Sequence, residues 1–314
     1  MVVVARSRST TTKVHAYRWR ASPAVAATSM EGMPKASSIG AGEARVLSFE
    51  AMDPRPVGVF DSGVGGLSVL RQLRRLAPRE HYIYVADTAY FPYGSRPAAE
   101  VRKRAFAICT RLAESGAKLI VVACNTASAA AIADLREFFP MPFVGMVPGV
   151  KPAAASSPAR KVVILATPGT LDGDLYRRVV DEFGSGARIV SVPGHGLAGI
   201  VEAGEAGTEQ ARRALREALA GEVAAGADTV VLGCTHYCFL AGDIAAEYPG
   251  LAIVDTSEAV ARRAVQVLQE QGLEAPEDQA GSLGLVVTGD REAFHAAAAR
   301  LGFSLEAAPA ESTV

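Results

Sequence analysis

From Pro56 onward the sequence alternates short, near-continuous apolar runs with longer stretches of helical periodicity, and this alternation restricts the chain to βα units on parallel sheets. The runs at 57–60, 82–86, 119–123, 162–166, 188–192 and 229–232 read as strands covered on both faces, because apolar residues fill them with little alternation. Helical patterns lie between them, at 67–76, 98–114, 127–138 and 210–224. A Pro-, Ala- and Ser-rich stretch at 151–161 separates two sets of units, and a second crossing is expected near Asp255. Beyond it follow a helix at 259–271, a polar loop at 274–282, a strand at 285–288 and a final helix at 291–301. The expected fold is α/β, with two similar doubly wound parallel-sheet domains facing each other across a cleft. One domain comprises 56–150 plus 256–303, the other 151–255, and 304–314 is expected to be a flexible tail. In open sheets of this kind ligands bind beyond the carboxyl ends of the strands, which puts the site in the cleft.

The first 55 residues differ from the rest. Arg6, Arg8, Lys13, Arg18 and Arg20 stand among Ser, Thr and Ala without apolar periodicity. Such a segment reads as a transit peptide or an upstream extension. The extension is preferred, disordered and with the functional protein beginning near Met52.

A chain of 314 residues suits two domains, and 49% hydrophobic against 21% charged residues describes a folded globular protein. Its 32 Lys and Arg against 33 Asp and Glu leave a formal charge of -1, so no overall field draws it to nucleic acid or an acidic membrane. No apolar run approaches the roughly 20 residues of a spanning helix. A small-molecule substrate is therefore the expected partner, and a homodimer the possible assembly. Four cysteines without a signal-peptide core indicate free thiols in a reducing, cytoplasmic setting. Cys234 and Cys238, with His236 between them, look like half a zinc site, but no second pair has ligand spacing, and no metal is expected.

The chain also repeats itself. Lys118 to Ser128 reads KLIVVACNTAS and Asp228 to Cys238 reads DTVVLGCTHYC, each an apolar strand, a small residue, a cysteine and polar groups leading into a helix. At a strand's carboxyl end and a helix N-terminus, a cysteine meets backbone N–H groups and the positive end of the helix dipole, both of which favour thiolate. Two such cysteines on facing halves can serve as base and acid on opposite faces of one carbon, which is what inversion of an α-carbon requires. Cys109, inside the 98–114 helical pattern, reads instead as a core residue. Cys238 is open to two readings, a packed residue or a thiol that perturbs Cys234.

A third segment, VFDSGVGGL, delivers Asp61 and Ser62 into a Gly-rich turn before a helix. The turn lacks the spacing of a dinucleotide fingerprint and the lysine of a P-loop, and a carboxylate there would repel phosphate. Asp61 suits a substrate ammonium or the tuning of a thiol, and helix capping is its structural alternative.

FDSGVGGL, DTAYFPYG at Asp87 to Gly94, ACNTAS and GCTHY, in this order, resemble the glutamate racemase family within the aspartate/glutamate racemase superfamily. The resemblance implies conversion of L-glutamate to D-glutamate for peptidoglycan, with no pyridoxal phosphate, metal or other cofactor. It implies Cys124 and Cys234 as the acid/base pair, with Asp61, His236 and Glu202 assisting. Asp61, Ser62, Tyr93, Gly94, Asn125, Thr126, Thr235 and His236 are the implied substrate contacts. Asp61 is expected to tune Cys124, and His236 to tune Cys234 separately. The chain departs from the familiar pattern where Cys238 and Phe239 replace proline and leucine, in VPGHG at 192–196, and in GMVPGVKP, which lacks a glutamate before proline. These departures leave a racemase of aspartate or a hydantoin, or a silent regulatory homologue, as alternative readings.

Overall fold

The computed structural model describes residues 52–184 and 186–305. The leader up to residue 51 and the tail from residue 306 lie outside the described residues, while Leu305 packs against the core.

In chain order, β1 (Val57–Asp61), α1 (Leu67–Leu76), β2 (Tyr82–Ala86), α2 (Ala98–Glu114), β3 (Leu119–Val122), α3 (Asn125–Phe138) and β4 (Phe143–Gly145) build the first set of units. The second set is α4 (Val150–Ser156), β5 (Lys161–Ala166), α5 (Pro168–Leu171), α6 (Asp174–Phe183), β6 (Arg188–Pro193), α7 (Leu197–Glu202), α8 (Glu209–Ala224), β7 (Thr229–Gly233), α9 (Ala241–Glu247) and β8 (Ala252–Val254). The chain then returns through α10 (Ser257–Glu270), β9 (Leu283–Val287) and α11 (Arg291–Arg300). Two sheets result, ordered β4-β3-β1-β2-β9 and β6-β5-β7-β8, and every recorded strand pair is parallel.

In each sheet the chain switches from one side of its first strand to the other. After pairing β1 with β2 the chain crosses to place β3 on the other side of β1, and after pairing β5 with β6 it places β7 on the other side of β5. The crevice at such a switch point is where an open α/β sheet offers room for a ligand. Asp61 and Cys124 stand at the carboxyl ends flanking the first switch, and Thr167 and Cys234 at those flanking the second.

Central strands follow the pattern expected from sequence: β1, β3, β5 and β7 are buried throughout. The strand at 188–193 does not, because β6 pairs only with β5 and alternates half-buried with exposed positions as an edge. The stretch 151–161 is also not a plain crossing. Its alanines continue α4 as far as Ser156, and Lys161 already opens β5. Strands β4 and β8, three residues each, have no counterpart in the sequence reading.

A buried ion pair closes the end of the first sheet opposite the switch point. Lys118 Nζ lies 2.7 Å from Glu80 Oε2 and donates to the Asp53 carbonyl, and Glu80 Oε1 accepts the Ala275 N–H at 2.8 Å. Both side chains are essentially inaccessible to solvent. Among the described residues no helix is long and apolar enough to cross a membrane.

Candidate active site

The Gly-rich turn after β1 brings the two sheets' carboxyl ends together. Its glycines are required by what faces them: a Cβ on Gly63 would lie 1.8 Å from Glu202 Oε1, and one on Gly65 would lie 2.4 Å from His236 Nδ1. Residues following β6 and β7 therefore press directly on the backbone following β1. Tyr84, from β2, fixes the turn from below by donating its hydroxyl to the Gly63 carbonyl at 2.7 Å.

Asp61 is fully buried. It accepts the Gly63 N–H at 2.8 Å and the Thr235 hydroxyl at 2.9 Å, while Ser62 Oγ lies 3.4 Å from it. Burial pushes its carboxyl up to about 6, against the opposing pull of His236 and of these donors. Asp61 also raises the Cys124 thiol, so one carboxylate acts on groups belonging to both cysteines.

Cys124 occupies the N-cap position of α3, between a strand end and a helix start as the strand–cysteine–helix pattern predicts. The N–H groups of Ala127 and Thr126 stabilise its thiolate, but burial outweighs them and, together with Asp61 and the nearby Cys234, pushes the thiol well up. Desolvation thus opposes the lowering expected from the strand end and helix N-terminus at this position.

Cys234 precedes a 3-10 turn, Thr235–Leu240, rather than a full α-helix. Its Sγ lies 3.7 Å from His236 Nδ1, and His236 Nε2 lies 2.7 Å from Glu202 Oε1. Burial pulls the imidazole's pKa down, but the Cys234 sulfur and the Glu202 carboxylate more than offset this and hold it well above its usual value. Glu202 Oε1 also accepts the Val64 N–H at 2.7 Å, so the carboxylate that orients His236 is itself oriented by the opposite half.

The remaining expected residues divide. Thr126 joins Thr167 and Thr170 in a hydroxyl cluster, with Oγ1 distances of 2.8 and 3.3 Å. Asn125 is buried, and its Oδ1 has no hydrogen-bond partner, leaving an acceptor available to a ligand. Tyr93 is buried with its hydroxyl donating to Asp87. Gly94 packs on Thr167, 2.6 Å from where its own Cβ would be.

Sequence reasoning missed Thr167, Thr170, Tyr84 and Asp87. For Thr167 a signal existed: it follows β5 as Ser62 follows β1. Cys109 is a core residue as expected, and Cys238 bonds Asp255 at 3.2 Å and lies 3.5 Å from Ser257. His195 is exposed and lines a surface cavity of about 670 Å³ beside α7 and α8.

Two strand-end cysteines, a carboxylate between them and a Cys–His–Glu relay make a site for moving a proton. The sequence profile of the Asp/Glu/Hydantoin racemase family matches residues 57–264. The chain belongs to this racemase family. A glutamate racemase from Deinococcus radiodurans is 46% identical over 238 residues, which are 75% of this chain and 82% of that protein. The crystal structure of glutamate racemase from Thermus thermophilus in complex with β-chloro-D-alanine is 42% identical, with a TM-score of 0.71 over 81% of this chain and 96% of that one. That of glutamate racemase from Francisella tularensis in complex with D-glutamate is 26% identical, with a TM-score of 0.72 over the same shares. These racemases share the two-sheet α/β architecture described above.

Proposed function

We propose that the protein interconverts L-glutamate and D-glutamate in the cytoplasm, supplying D-glutamate for peptidoglycan, by a two-base transfer between Cys124 and Cys234. The substrate assignment is supported by the glutamate racemases to which the chain is similar over most of its length. The single observation that carries the mechanism is that the two strand-end cysteines flank the paired switch points, with one buried carboxylate, Asp61, acting on both sides.

In one direction the thiolate of one cysteine removes the α-proton, and the thiol of the other protonates the opposite face; the reverse reaction exchanges the roles. His236 gives a proton to, or takes one from, Cys234, with Glu202 fixing its orientation. The N–H groups of Thr126 and Ala127 serve the Cys124 sulfur. Asp61 and the unpartnered Asn125 Oδ1 are the acceptors for a substrate ammonium, and the hydroxyls of Ser62, Thr126 and Thr235 are the donors for its carboxylates. Fixed donors of this kind also stabilise the charge that develops as the α-proton leaves.

Circular dichroism of each enantiomer of glutamate and aspartate tests the substrate. Glutamate is expected to racemise from either side, with no change on adding pyridoxal phosphate. Turnover of aspartate alone would replace the assignment by the aspartate reading.

A further inference from the structure

The segment between β2 and α2 carries an aromatic ring that the two-cysteine scheme leaves unused. Phe91 lays its ring against the imidazole of His236, with centroids 5.5 Å apart and planes inclined at 43°. The same imidazole has Cys234 Sγ at Nδ1, Glu202 at Nε2 and the bare backbone of Gly65 close to Nδ1. His236 is only 2% exposed, whereas the Phe91 ring that contacts it is partly exposed.

The segment holding this ring is anchored at several points. Asp87, fully buried, accepts from the Tyr93 hydroxyl, from Arg104 at 2.6 and 3.0 Å and from Thr288 at 2.8 Å. Its own N–H donates to the Asp61 carbonyl at 2.9 Å. The Arg104 guanidinium also stacks on Tyr90, 3.8 Å from the ring centroid. A side chain on a segment so restrained meets its neighbour at a fixed place.

We propose that Phe91 is a positioning residue for the Cys234 side of the reaction: its ring closes the solvent face of His236 and holds the imidazole where it reaches Cys234 and Glu202 together. The inference rests on the two-cysteine reading. Water at that face would compete for both hydrogen bonds and weaken the charge interactions along the relay, and the apolar ring excludes it. The consequence is local to the proton transfers made by Cys234.

The equilibrium constant of a racemisation is one, so kcat/KM for the two enantiomers must fall together and their ratio carries no information. Isotope effects do. The experiment compares wild type, Phe91→Ala, Phe91→Leu and His236→Gln on α-deuterated L- and D-glutamate, with melting temperatures to confirm folding. Phe91→Ala is expected to lower kcat about tenfold, less than the roughly 100-fold or more lost with an acid/base group itself, because the ring only positions one. Its α-deuterium effect should rise for the enantiomer that Cys234 deprotonates and fall for the other, in the same sense as His236→Gln. Phe91→Leu, which keeps an apolar cover, should recover most of the rate. Wild-type kinetics in Phe91→Ala, equal isotope changes for both enantiomers, or a Phe91→Leu no faster than the alanine variant would overturn the proposal. Failure of the two-cysteine reading looks different, because Cys124→Ser or Cys234→Ser would then remain fully active.

Discussion

At the scale of single residues, the site holds charge in an environment that resists it, and this has consequences for both stability and rate. Asp61 sits fully buried with its carboxyl pushed up to about 6 by desolvation. A native pKa above the unfolded value means that the folded state binds this proton more tightly between about pH 4 and pH 6. Folding stability from this group is therefore present at low pH and lost as pH rises through about 6, at a cost of about 3 kcal/mol. Asp61→Asn should raise stability at pH 7.5 relative to wild type, leave it nearly unchanged at pH 4, and abolish useful racemisation. Denaturant melts at the two pH values check this, and equal offsets at both would contradict it. Glu202 acts in the opposite sense on His236, since its carboxylate helps to hold the imidazole's proton. In Glu202→Gln the imidazole should lose that proton at lower pH, moving the corresponding limb of the kcat profile down in pH and slowing turnover roughly 100-fold. A profile lowered in height but unmoved along the pH axis would separate Glu202 from the relay.

At the scale of elements, the turn after β1 decides how closely the halves approach. Adding one methyl group at Gly65 places a carbon 2.4 Å from His236 Nδ1 and 2.6 Å from Thr235 Oγ1, two groups already tied to Glu202 and Asp61. Gly65→Ala should cut kcat by about 100-fold while leaving the melting temperature within a few degrees, because the clash falls on the site rather than the core. A variant that keeps wild-type turnover would show the contact to be soft. Much of this scale was legible from sequence, since a strand, a small residue and a cysteine recur as one unit and every central strand is a continuous apolar run. What escaped did so for physical reasons. Strands β4 and β8 are too short to produce periodicity, while β6 was legible as an apolar run but its half-exposed state was not, because edge position is set by the whole sheet. The link between Glu202 and His236 spans 34 positions and exists only because α7 and the turn after β7 meet. Desolvation of Cys124 was illegible too, because the donor amides follow from local sequence while burial follows from the whole fold. Thr167 alone was within reach, in the position after β5 that Ser62 holds after β1.

At the scale of the molecule, two parallel sheets of like winding put their switch points together, and the rest of the chain keeps them so. The Lys118–Glu80 pair, with its bonds to Asp53 and Ala275, ties β3 to the segments preceding β2 and β9 at the end remote from the site. Removing one member leaves a buried charge unpaired, so Lys118→Met should destabilise the protein by about 3–5 kcal/mol. Its KM should be unchanged at temperatures where it remains folded. The central claim, that the facing halves supply one acid/base cysteine each, is tested most directly by racemising L-glutamate in deuterated water and examining the early products of wild type, Cys124→Ser and Cys234→Ser. The account predicts that wild-type D-glutamate carries solvent deuterium at its α-carbon while unreacted L-glutamate remains protiated. It also predicts that each serine variant loses turnover by about 1000-fold. Product that retains the substrate's own α-proton, or full activity in either variant, would contradict it.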